Sequence, residues 1–236
     1  MARTPLWQTI ASTLGREIAE GLYAPGTKLP TEAALAARFG VNRHTIRQAL
    51  AHLAEQSVVH ARRGSGVYVT GKPTEYPLGR RVRFHQNVLA SGRSPSRRIT
   101  RLETRPATST EAEALKLDPG KAVHVIEGVS LADDQPQALF RSVFPAERFP
   151  DLLVAMRDHP SVTAALLACG LADYTRAETR LTAVLADGLQ ANALMLPAGA
   201  PLLRSVAVNV AEGGAPVEFG ITWFAGDRVT LTVTPG

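Results

Sequence analysis

Two helical patterns separated by only three residues constrain the N-terminal third of this 236-residue chain more than any other feature. Thr31 can cap the first pattern and Asn42 the second, because a side-chain oxygen at that position accepts a hydrogen bond from a free helix N–H. Apolar residues recur at helical spacing in both patterns: Leu35 and Phe39, then Ile46, Leu50 and Leu53. A link of this length predicts a helix-turn-helix.

A third helix is predicted before this pair and a β-hairpin after it. Apolar residues recur at every fourth position of the first pattern: Leu6, Ile10, Leu14, Ile18 and Leu22. Two β-prone runs, 58–59 and 67–69, flank Gly64 and Gly66, which permit a tight turn. We therefore expect residues 1–71 to form a helix-turn-helix domain with a β-hairpin wing.

The chemistry expected of this domain lies at the start of its last helix. Arg43 and Arg47 can each donate two parallel hydrogen bonds to a guanine edge in the DNA major groove. Asn42 and Thr45 suit phosphate oxygens, and Arg63 in the hairpin suits a phosphate or minor-groove contact. An amphipathic helix with a solvated charged face is the alternative reading.

Charge is distributed unevenly. Residues 1–105 contain 17 Lys and Arg against six Asp and Glu, whereas the remainder has a net charge of −6. Such a basic N-terminal end indicates an anionic partner, with nucleic acid first and a solvated arginine-rich surface as the alternative.

Several classes of protein are disfavoured by what the sequence lacks. No apolar stretch approaches the ~20 residues of a membrane span, and no signal-peptide pattern opens the chain. The single cysteine, Cys169, excludes an intramolecular disulfide, and its apolar context favours a packed thiol over a nucleophile. We expect a cytoplasmic protein that binds no membrane, metal or cofactor and has no catalytic residues.

The segments LPTEAALAARFGVNRHTIRQALAHLAEQSVV and GSGVYV resemble the winged helix of the GntR family of bacterial transcription regulators. The resemblance covers about residues 4–71, and Ala33 departs from members that have arginine there. It implies a set of DNA-binding residues: Thr31, Arg38, Asn42, Arg43, His44, Thr45, Arg47, Arg63, Gly64 and Gly66.

The C-terminal part contains an internal repeat. Residues 112–144 align with residues 191–224, and each copy has the pattern of a helix end, a tight turn, a strand, a polar turn and a strand. Between the copies, residues 147–171 are predicted to be helical with a break at Pro160 and Ser161. This pattern predicts an α+β domain, with an antiparallel sheet and helices on one side.

Two polar positions in predicted strands suggest a ligand pocket. Arg141 with Ser142 could bind a phosphate or phosphonate, and Glu218 could accept a bond from a ligand amine or hydroxyl. Outward-facing, solvated side chains are the alternative for both positions.

Residues 78–234 resemble the UTRA ligand-binding domain of the HutC subgroup, a domain similar in fold to chorismate lyase. The matching stretches include LADDQPQALFRSVFPAERFPDL, YTRAETRLTAVLAD and PVEFGITWFAGDR. We therefore expect residues 72–77 to form a linker and residues 78–236 to form an effector-binding and dimerisation domain. The resemblance implies a set of effector-binding residues, to which we add Arg83 because it directly precedes Phe84. The expected residues are Arg83, Phe84, His85, Glu127, Val129, Arg141, Ser142, Glu218 and Phe224.

Within the subgroup, FGVNRHTIRQAL and EYPLGRRVRFHQNVLASGRSPS look most like regulators of phosphonate uptake and breakdown. The resemblance implies a homodimeric repressor that binds double-stranded operator DNA and a phosphonate, phosphate ester or other small anion. The alternatives are a regulator of sugar or amino-acid catabolism, an enzyme with a chorismate-lyase-like domain, and an architectural DNA-binding protein without a ligand.

Overall fold

The computed structural model describes residues 5–233 except positions 57, 63, 64, 72, 82 and 160. The chain divides into two compact units, Met1–Lys72 and Pro73–Gly236.

The first unit contains three helices and a two-stranded hairpin, in the predicted order. Their bounds are α1 Leu6–Ala19, α2 Glu32–Phe39, α3 Arg43–Glu55, β1 Val59–Arg62 and β2 Gly66–Val69. Ile10 and Leu14 of α1 are buried, but Leu6 and Leu22 at the ends of the predicted stripe are exposed. Leu22 is exposed because α1 has already ended at Ala19.

A short segment between α1 and α2 extends the hairpin. The Leu29 N–H donates to the Val67 carbonyl at 2.8 Å, and the Val69 N–H donates to the Thr27 carbonyl at 2.9 Å. Leu29 is buried in the helical core. Residues 26–29 therefore join the wing to the helices, an arrangement that the sequence pattern did not predict.

The second unit is α+β. Its elements are β3 Thr74–Pro77, α4 Phe84–Ala90, β4 Pro95–Pro106, α5 Ser109–Leu115, β5 Ala122–Ala132, β6 Gln135–Pro145, α6 Leu152–Asp158, α7 Val162–Ala168, β7 Thr175–Leu185, α8 Gly188–Leu194, β8 Pro201–Val210, β9 Pro216–Ala225 and β10 Val229–Thr232.

Six strands form one antiparallel sheet in the order β4-β5-β6-β9-β8-β7. The internal repeat is longer than predicted, because a strand precedes the helix in each copy. Both helices begin with a capping box and end at a residue in the left-handed region, Lys116 after α5 and Met195 after α8. The two copies meet at the centre of the sheet, where β6 pairs with β9.

Helices cover both faces of this sheet, so the expectation of helices on one side is wrong. Val143 and Phe144 are neighbours on β6 and therefore point to opposite faces. Val143 packs with Leu115 of α5, whereas Phe144 packs with Leu152 of α6. Both faces of the central strands are buried, because alternate residues of each strand pack into two different hydrophobic cores.

The predicted linker 72–77 also needs correction. Residues 74–77 form β3, which pairs in parallel with β10. Thr74 and Tyr76 are buried in the second unit, so this segment belongs to it.

Within the described residues, no helix combines the length and apolar character needed to cross a membrane.

Candidate nucleic-acid interface and ligand cavity

The N-terminal end of α3 presents polar side chains on an ordered frame. The Asn42 Oδ1 accepts hydrogen bonds from the Thr45 N–H at 2.9 Å and from the Thr45 hydroxyl at 3.0 Å. Arg43 and His44 are exposed, and neither has a hydrogen bond or ion pair within the described part of the chain. Buried Ile46 fixes the opposite side of the helix. Arg43 and His44 are therefore free to contact an external partner.

Arg47 is also exposed, but Glu32 of α2 restrains it. The Arg47 Nη2 lies 3.0 Å from the Glu32 Oε2, and this hydrogen bond holds the pKa of Glu32 below its ordinary value. The ion pair links the two helices of the helix-turn-helix and orients a guanidinium that is 69% exposed.

Arg38 has a partner inside the unit. Its guanidinium forms an ion pair with Glu17 of α1 and donates to the Tyr23 hydroxyl at 3.2 Å. The hydrogen bond from Arg38 lowers the pKa of the Glu17 carboxyl. This predicted DNA contact thus holds α2 against α1, a role that the sequence did not indicate.

The wing contributes a close backbone approach. Gly66 has a φ of +119°, and a Cβ there would lie 2.7 Å from the Lys28 Cε. Lys28, an exposed residue that the sequence analysis missed, therefore lies beside the base of the wing. The predicted contacts Arg63 and Gly64 lie outside the described residues. Thr31 caps α2 by accepting a bond from the Ala34 N–H at 3.2 Å.

The second unit contains a cavity of about 330 Å³. Six of the predicted ligand residues line it: Arg83, Phe84, His85, Ser142, Glu218 and Phe224. The cavity is also lined by six residues that the sequence did not predict: Tyr76, Arg97, Phe140, Tyr174, Arg176 and Asn209.

The other three predicted ligand residues, Glu127, Val129 and Arg141, do not line this cavity, so the prediction was wrong for them. Arg141 lies between Phe140 and Ser142 on β6 and therefore points to the other face of the sheet. Its Nε donates to the Glu127 Oε1 at 2.5 Å across the β5–β6 pair. Val129 is buried one position further along that same face. Glu127 therefore pairs with the charged side chain of Arg141, which was expected to bind an anionic ligand.

Two arginines in the cavity wall retain a buried nitrogen without a hydrogen-bond partner in the described part of the chain. These atoms are the Nη1 of Arg83 and the Nη1 of Arg97. The Arg83 guanidinium stacks 3.6 Å from the centre of the Tyr174 ring and donates to the Tyr174 carbonyl at 2.8 Å. The Arg97 guanidinium lies 4.6 Å from the centre of the Phe140 ring, and its burial lowers its pKa.

A third arginine is connected to the only carboxylate among the lining residues of this cavity that the structure describes. Arg176 donates through its Nε to the Asn209 Oδ1 at 3.2 Å, and the Asn209 Nδ2 donates to the Glu218 Oε2 at 2.6 Å. Three guanidinium groups and one carboxylate give these walls a net positive charge. The arrangement favours a small anion that also carries a hydrogen-bond donor for Glu218.

Two phenols complete the polar wall. Burial raises the pKa of Tyr76 to about 12 and also raises the pKa of Tyr174. Both side chains therefore stay neutral at physiological pH. Tyr174 exchanges a hydrogen bond of 2.9 Å with the Thr163 hydroxyl.

Alternation along the strands explains why the sequence analysis missed Arg97 and Arg176. Arg97 and Arg98 are neighbours on β4 and point to opposite faces, so the sequence alone does not show which of them enters a pocket. A search for arginines within strands β4 and β7 would have selected Arg97 and Arg176 as candidates.

No group of three or more His, Cys, Asp or Glu side chains could hold a metal ion in the described residues. Burial raises the pKa of the Cys169 thiol, which is half-buried at the end of α7. A raised pKa disfavours the reactive thiolate.

Comparisons with known proteins match both units. The gntR family of bacterial regulatory proteins matches residues 6–69, and the UTRA domain matches residues 90–230. An uncharacterised HTH-type transcriptional regulator of Rhizobium meliloti, RB1450, is 38% identical over 97% of this chain and 94% of its own. The probable transcriptional regulator PhnF of Escherichia coli is 31% identical over 96% of this chain and 94% of its own.

The crystal structure of PhnF from Mycobacterium smegmatis has a similar fold. It superimposes with a TM-score of 0.65 at 26% sequence identity, over 96% of this chain and 99% of that one.

Proposed function

The chain belongs to the gntR family of bacterial regulatory proteins and is a HutC-type transcription regulator with a UTRA domain, and we propose that it represses genes for phosphonate uptake and breakdown. Regulators of this type bind operator DNA and small-molecule effectors. The proposal concerns which anion binds here and which residues bind it.

The DNA-binding proposal rests on the exposed start of α3. Arg43 and Arg47 read bases in the major groove, with Asn42, His44 and Thr45 beside them. Residues of the wing and of the α2 cap contact phosphates: Thr31, Lys28, Arg63, Gly64 and Gly66. Arg38 is 42% exposed although it pairs with Glu17, as Arg47 is exposed beside Glu32, and it stays part of the proposed surface. A homodimer with two-fold symmetry places two such helices in major grooves about one or more DNA turns apart.

One observation carries the effector proposal: the guanidinium groups of Arg83 and Arg97, which line the same cavity, each have a buried nitrogen that finds no hydrogen-bond partner among the described residues. A buried donor without a partner costs free energy, and an anionic oxygen recovers it. A phosphonate carries between one and two negative charges near neutral pH and has three acceptor oxygens, which fits several guanidinium donors. Its uncharged end lies near Phe84 and Phe224, and an amine or hydroxyl donates to Glu218.

The same residues connect the cavity to the segment between β3 and α4 of the second unit. The Arg176 N–H donates to the Arg80 carbonyl at 2.8 Å, and Arg81 forms an ion pair with Asp173 at 2.6 Å. Arg83 donates to the Tyr174 carbonyl two residues later. A ligand that draws Arg83 and Arg176 toward itself changes the contacts of Arg80 and Arg81. The ligand weakens operator binding only if it binds the operator-bound conformation less tightly than the other.

Isothermal titration of the full-length protein tests the effector proposal. The probes are methylphosphonate, 2-aminoethylphosphonate, inorganic phosphate, glucose 6-phosphate and glutamate. We expect the aminophosphonate to bind tightest, because it offers both an anion and a donor.

Arg97→Ala should weaken this binding by about 2–5 kcal/mol, since a buried charged partner is removed. Arg98→Ala is the matched control, because its exposed side chain lies next to Arg97 but points to the other face of the sheet. Equal affinities of the two variants would contradict the cavity assignment. Tighter binding of glucose 6-phosphate would retain the anion site and reject the phosphonate pathway.

A further inference from the structure

Gly128 lies on β5, the strand between those that carry Phe140 and Arg97 of the cavity wall. It is buried and pairs with Phe140 of β6 on one side and with Ile99 of β4 on the other. Ser130, two positions further along β5, lines the cavity. Because alternate residues of a strand share a face, a side chain at position 128 would point to the cavity face of the sheet.

The space at position 128 is already filled by neighbouring atoms. A Cβ there would lie 2.9 Å from the Cε1 and Cζ of Phe140 and 2.5 Å from the carbonyl oxygen of Arg98. The φ of Gly128 lies outside the left-handed region, so glycine is required here for space and not for backbone conformation. Any side chain must move the ring or the β4 backbone, because protein interiors are close-packed.

The missing side chain determines where the Phe140 ring lies. Directly opposed residues of an antiparallel pair have Cα atoms about 4.5–5.5 Å apart, and the Cε1 and Cζ of Phe140 belong to the far end of its ring. These atoms contact Gly128, so the ring leans across β5 toward β4. A methyl group at position 128 would lift the ring away from the sheet.

The Arg97 guanidinium lies over this ring, 4.6 Å from its centre. Arg97 forms neither an ion pair nor a hydrogen bond through its side chain within the ranges that the structure describes, and its Nη1 is buried. The cation–π contact with Phe140 is therefore the interaction that holds the charge of Arg97 in place.

We propose that Gly128 is a positioning residue of the effector site, because the space that it leaves lets the Phe140 ring hold the Arg97 guanidinium beside the cavity. This role rests on the proposed effector function and belongs to a residue that does not itself line the described cavity. Gly128 acts on a ligand only through the position of Arg97.

Nuclear magnetic resonance of the full-length protein with labelled arginine measures the position of Arg97 without a ligand. A guanidinium over the face of an aromatic ring gives signals that the ring current shifts upfield, and the Arg97 signals are those that Arg97→Ala removes. We expect this shift in the wild type and its loss in Gly128→Ala and in Phe140→Leu. An Arg97 signal that stays upfield in Gly128→Ala would overturn the positioning role.

Isothermal titration with 2-aminoethylphosphonate measures the effect on the ligand. Gly128→Ala should weaken binding by about tenfold or more, since it displaces the ring and the β4 backbone beside Arg97. Phe140→Leu removes the ring without adding a clash, so it provides a second variant if Gly128→Ala does not fold. It should weaken binding by about 2–30-fold, the range expected when a cation–π contact is lost.

A double-mutant cycle separates positioning from general damage to the fold. If Gly128 acts through Arg97, the Gly128→Ala and Arg97→Ala double variant should bind the phosphonate no more weakly than Arg97→Ala alone. Fold-losses that multiply would show that Gly128 affects the ligand by another route, and they would contradict the proposed role.

Gly226→Ala is the matched control. A Cβ at Gly226 would lie 2.8 Å from the Pro201 carbonyl oxygen, so this variant also crowds a neighbouring strand. Gly226 is exposed directly after β9 and is not a lining residue of the described cavity. We expect Gly226→Ala to lower the free energy of unfolding in urea but to keep the upfield Arg97 signal and the ligand affinity. An equal loss of affinity in both glycine variants would reduce the effect of Gly128 to stability alone.

These measurements separate the role of Gly128 from the proposed function. If none of the titrated probes binds the wild type although the Arg97 signal depends on Gly128, the effector proposal fails and the positioning of Arg97 by Gly128 stands. If the phosphonate binds the wild type and Gly128→Ala equally well, the positioning role fails and the effector proposal stands.

Discussion

Arginine supplies the candidate chemistry of both units, but the first unit exposes it to solvent whereas the second buries it. Arg47 is 69% exposed although it pairs with Glu32, and Arg43 is exposed with no hydrogen bond or ion pair in the described residues. Arg83 is only 7% exposed and keeps a nitrogen without a hydrogen bond in the described residues. Water solvates an exposed guanidinium at little cost, whereas a buried one depends on protein groups or a ligand. The first surface therefore suits a large polyanion, and the second suits one small anion.

Ion pairs show the same contrast, and the largest expected effect tests it. Glu111 is buried in the second unit, where it pairs with Arg105 at 2.7 Å and completes the cap of α5. Glu111→Ala should lower the free energy of unfolding by about 3 kcal/mol, because it removes the charge-assisted hydrogen bonds from Arg105 and one half of the α5 capping box, although Glu103 still pairs with Arg105 at 3.3 Å. Glu32→Ala, which breaks an exposed pair in the first unit, should cost about 0–1 kcal/mol. Urea denaturation measures both, and equal losses would contradict the contrast.

The pH dependence of stability follows from the same carboxyl group. Hydrogen bonds from Arg105 lower the pKa of Glu111 from 4.5 to about 2. Because the folded pKa lies below the unfolded pKa, the stabilisation is present above about pH 4.5 and is lost as the pH falls toward 2. Wild-type stability should fall more steeply across this range than that of Glu111→Gln.

A smaller effect is expected at the exposed recognition surface. Arg43→Ala should weaken binding to a specific duplex by about 1–3 kcal/mol, the value of one bidentate contact with a base. Arg16→Ala removes an arginine from the last turn of α1 and serves as the charge-matched control. Fluorescence anisotropy at fixed salt measures the duplex affinity of both variants. Equal losses of affinity would indicate that the surface binds DNA by electrostatics alone.

The smallest effect concerns Arg141, which the sequence placed in the ligand site. Arg141→Ala should change ligand affinity by less than about 0.5 kcal/mol, because its side chain pairs with Glu127 on the other face of the sheet. Titration with the tightest-binding phosphonate checks this value. A loss as large as that of Arg97→Ala would restore the original assignment.

The first unit was predictable because its signals are local. The caps at Thr31 and Asn42, the positive φ at Gly40 and the helical spacing of buried residues all act within a few positions. The second unit was predictable in class and in its internal repeat, because each copy repeats a helix, turn and hairpin.

The ligand site was predicted only in part, because the face of a strand depends on pairing between distant segments. Ser142 and Arg141 differ by one position, and only the former lines the cavity. The β4–β5 pairing shifts register between Ile99 and Arg101, and a periodic pattern in the sequence does not reveal such a shift. Alternation along a strand separates two faces but does not identify which of them borders a cavity.

Ligand-dependent release of DNA tests the central claim most directly. The full-length protein would be bound to a duplex that it selects from a random pool, and 2-aminoethylphosphonate would be added while anisotropy is followed. We predict that the wild type and Arg98→Ala release the duplex at least fivefold more readily with ligand, and that Arg97→Ala binds the duplex normally but does not respond. Release from Arg97→Ala at the wild-type ligand concentration would contradict the proposal that buried arginines of the UTRA domain bind the effector.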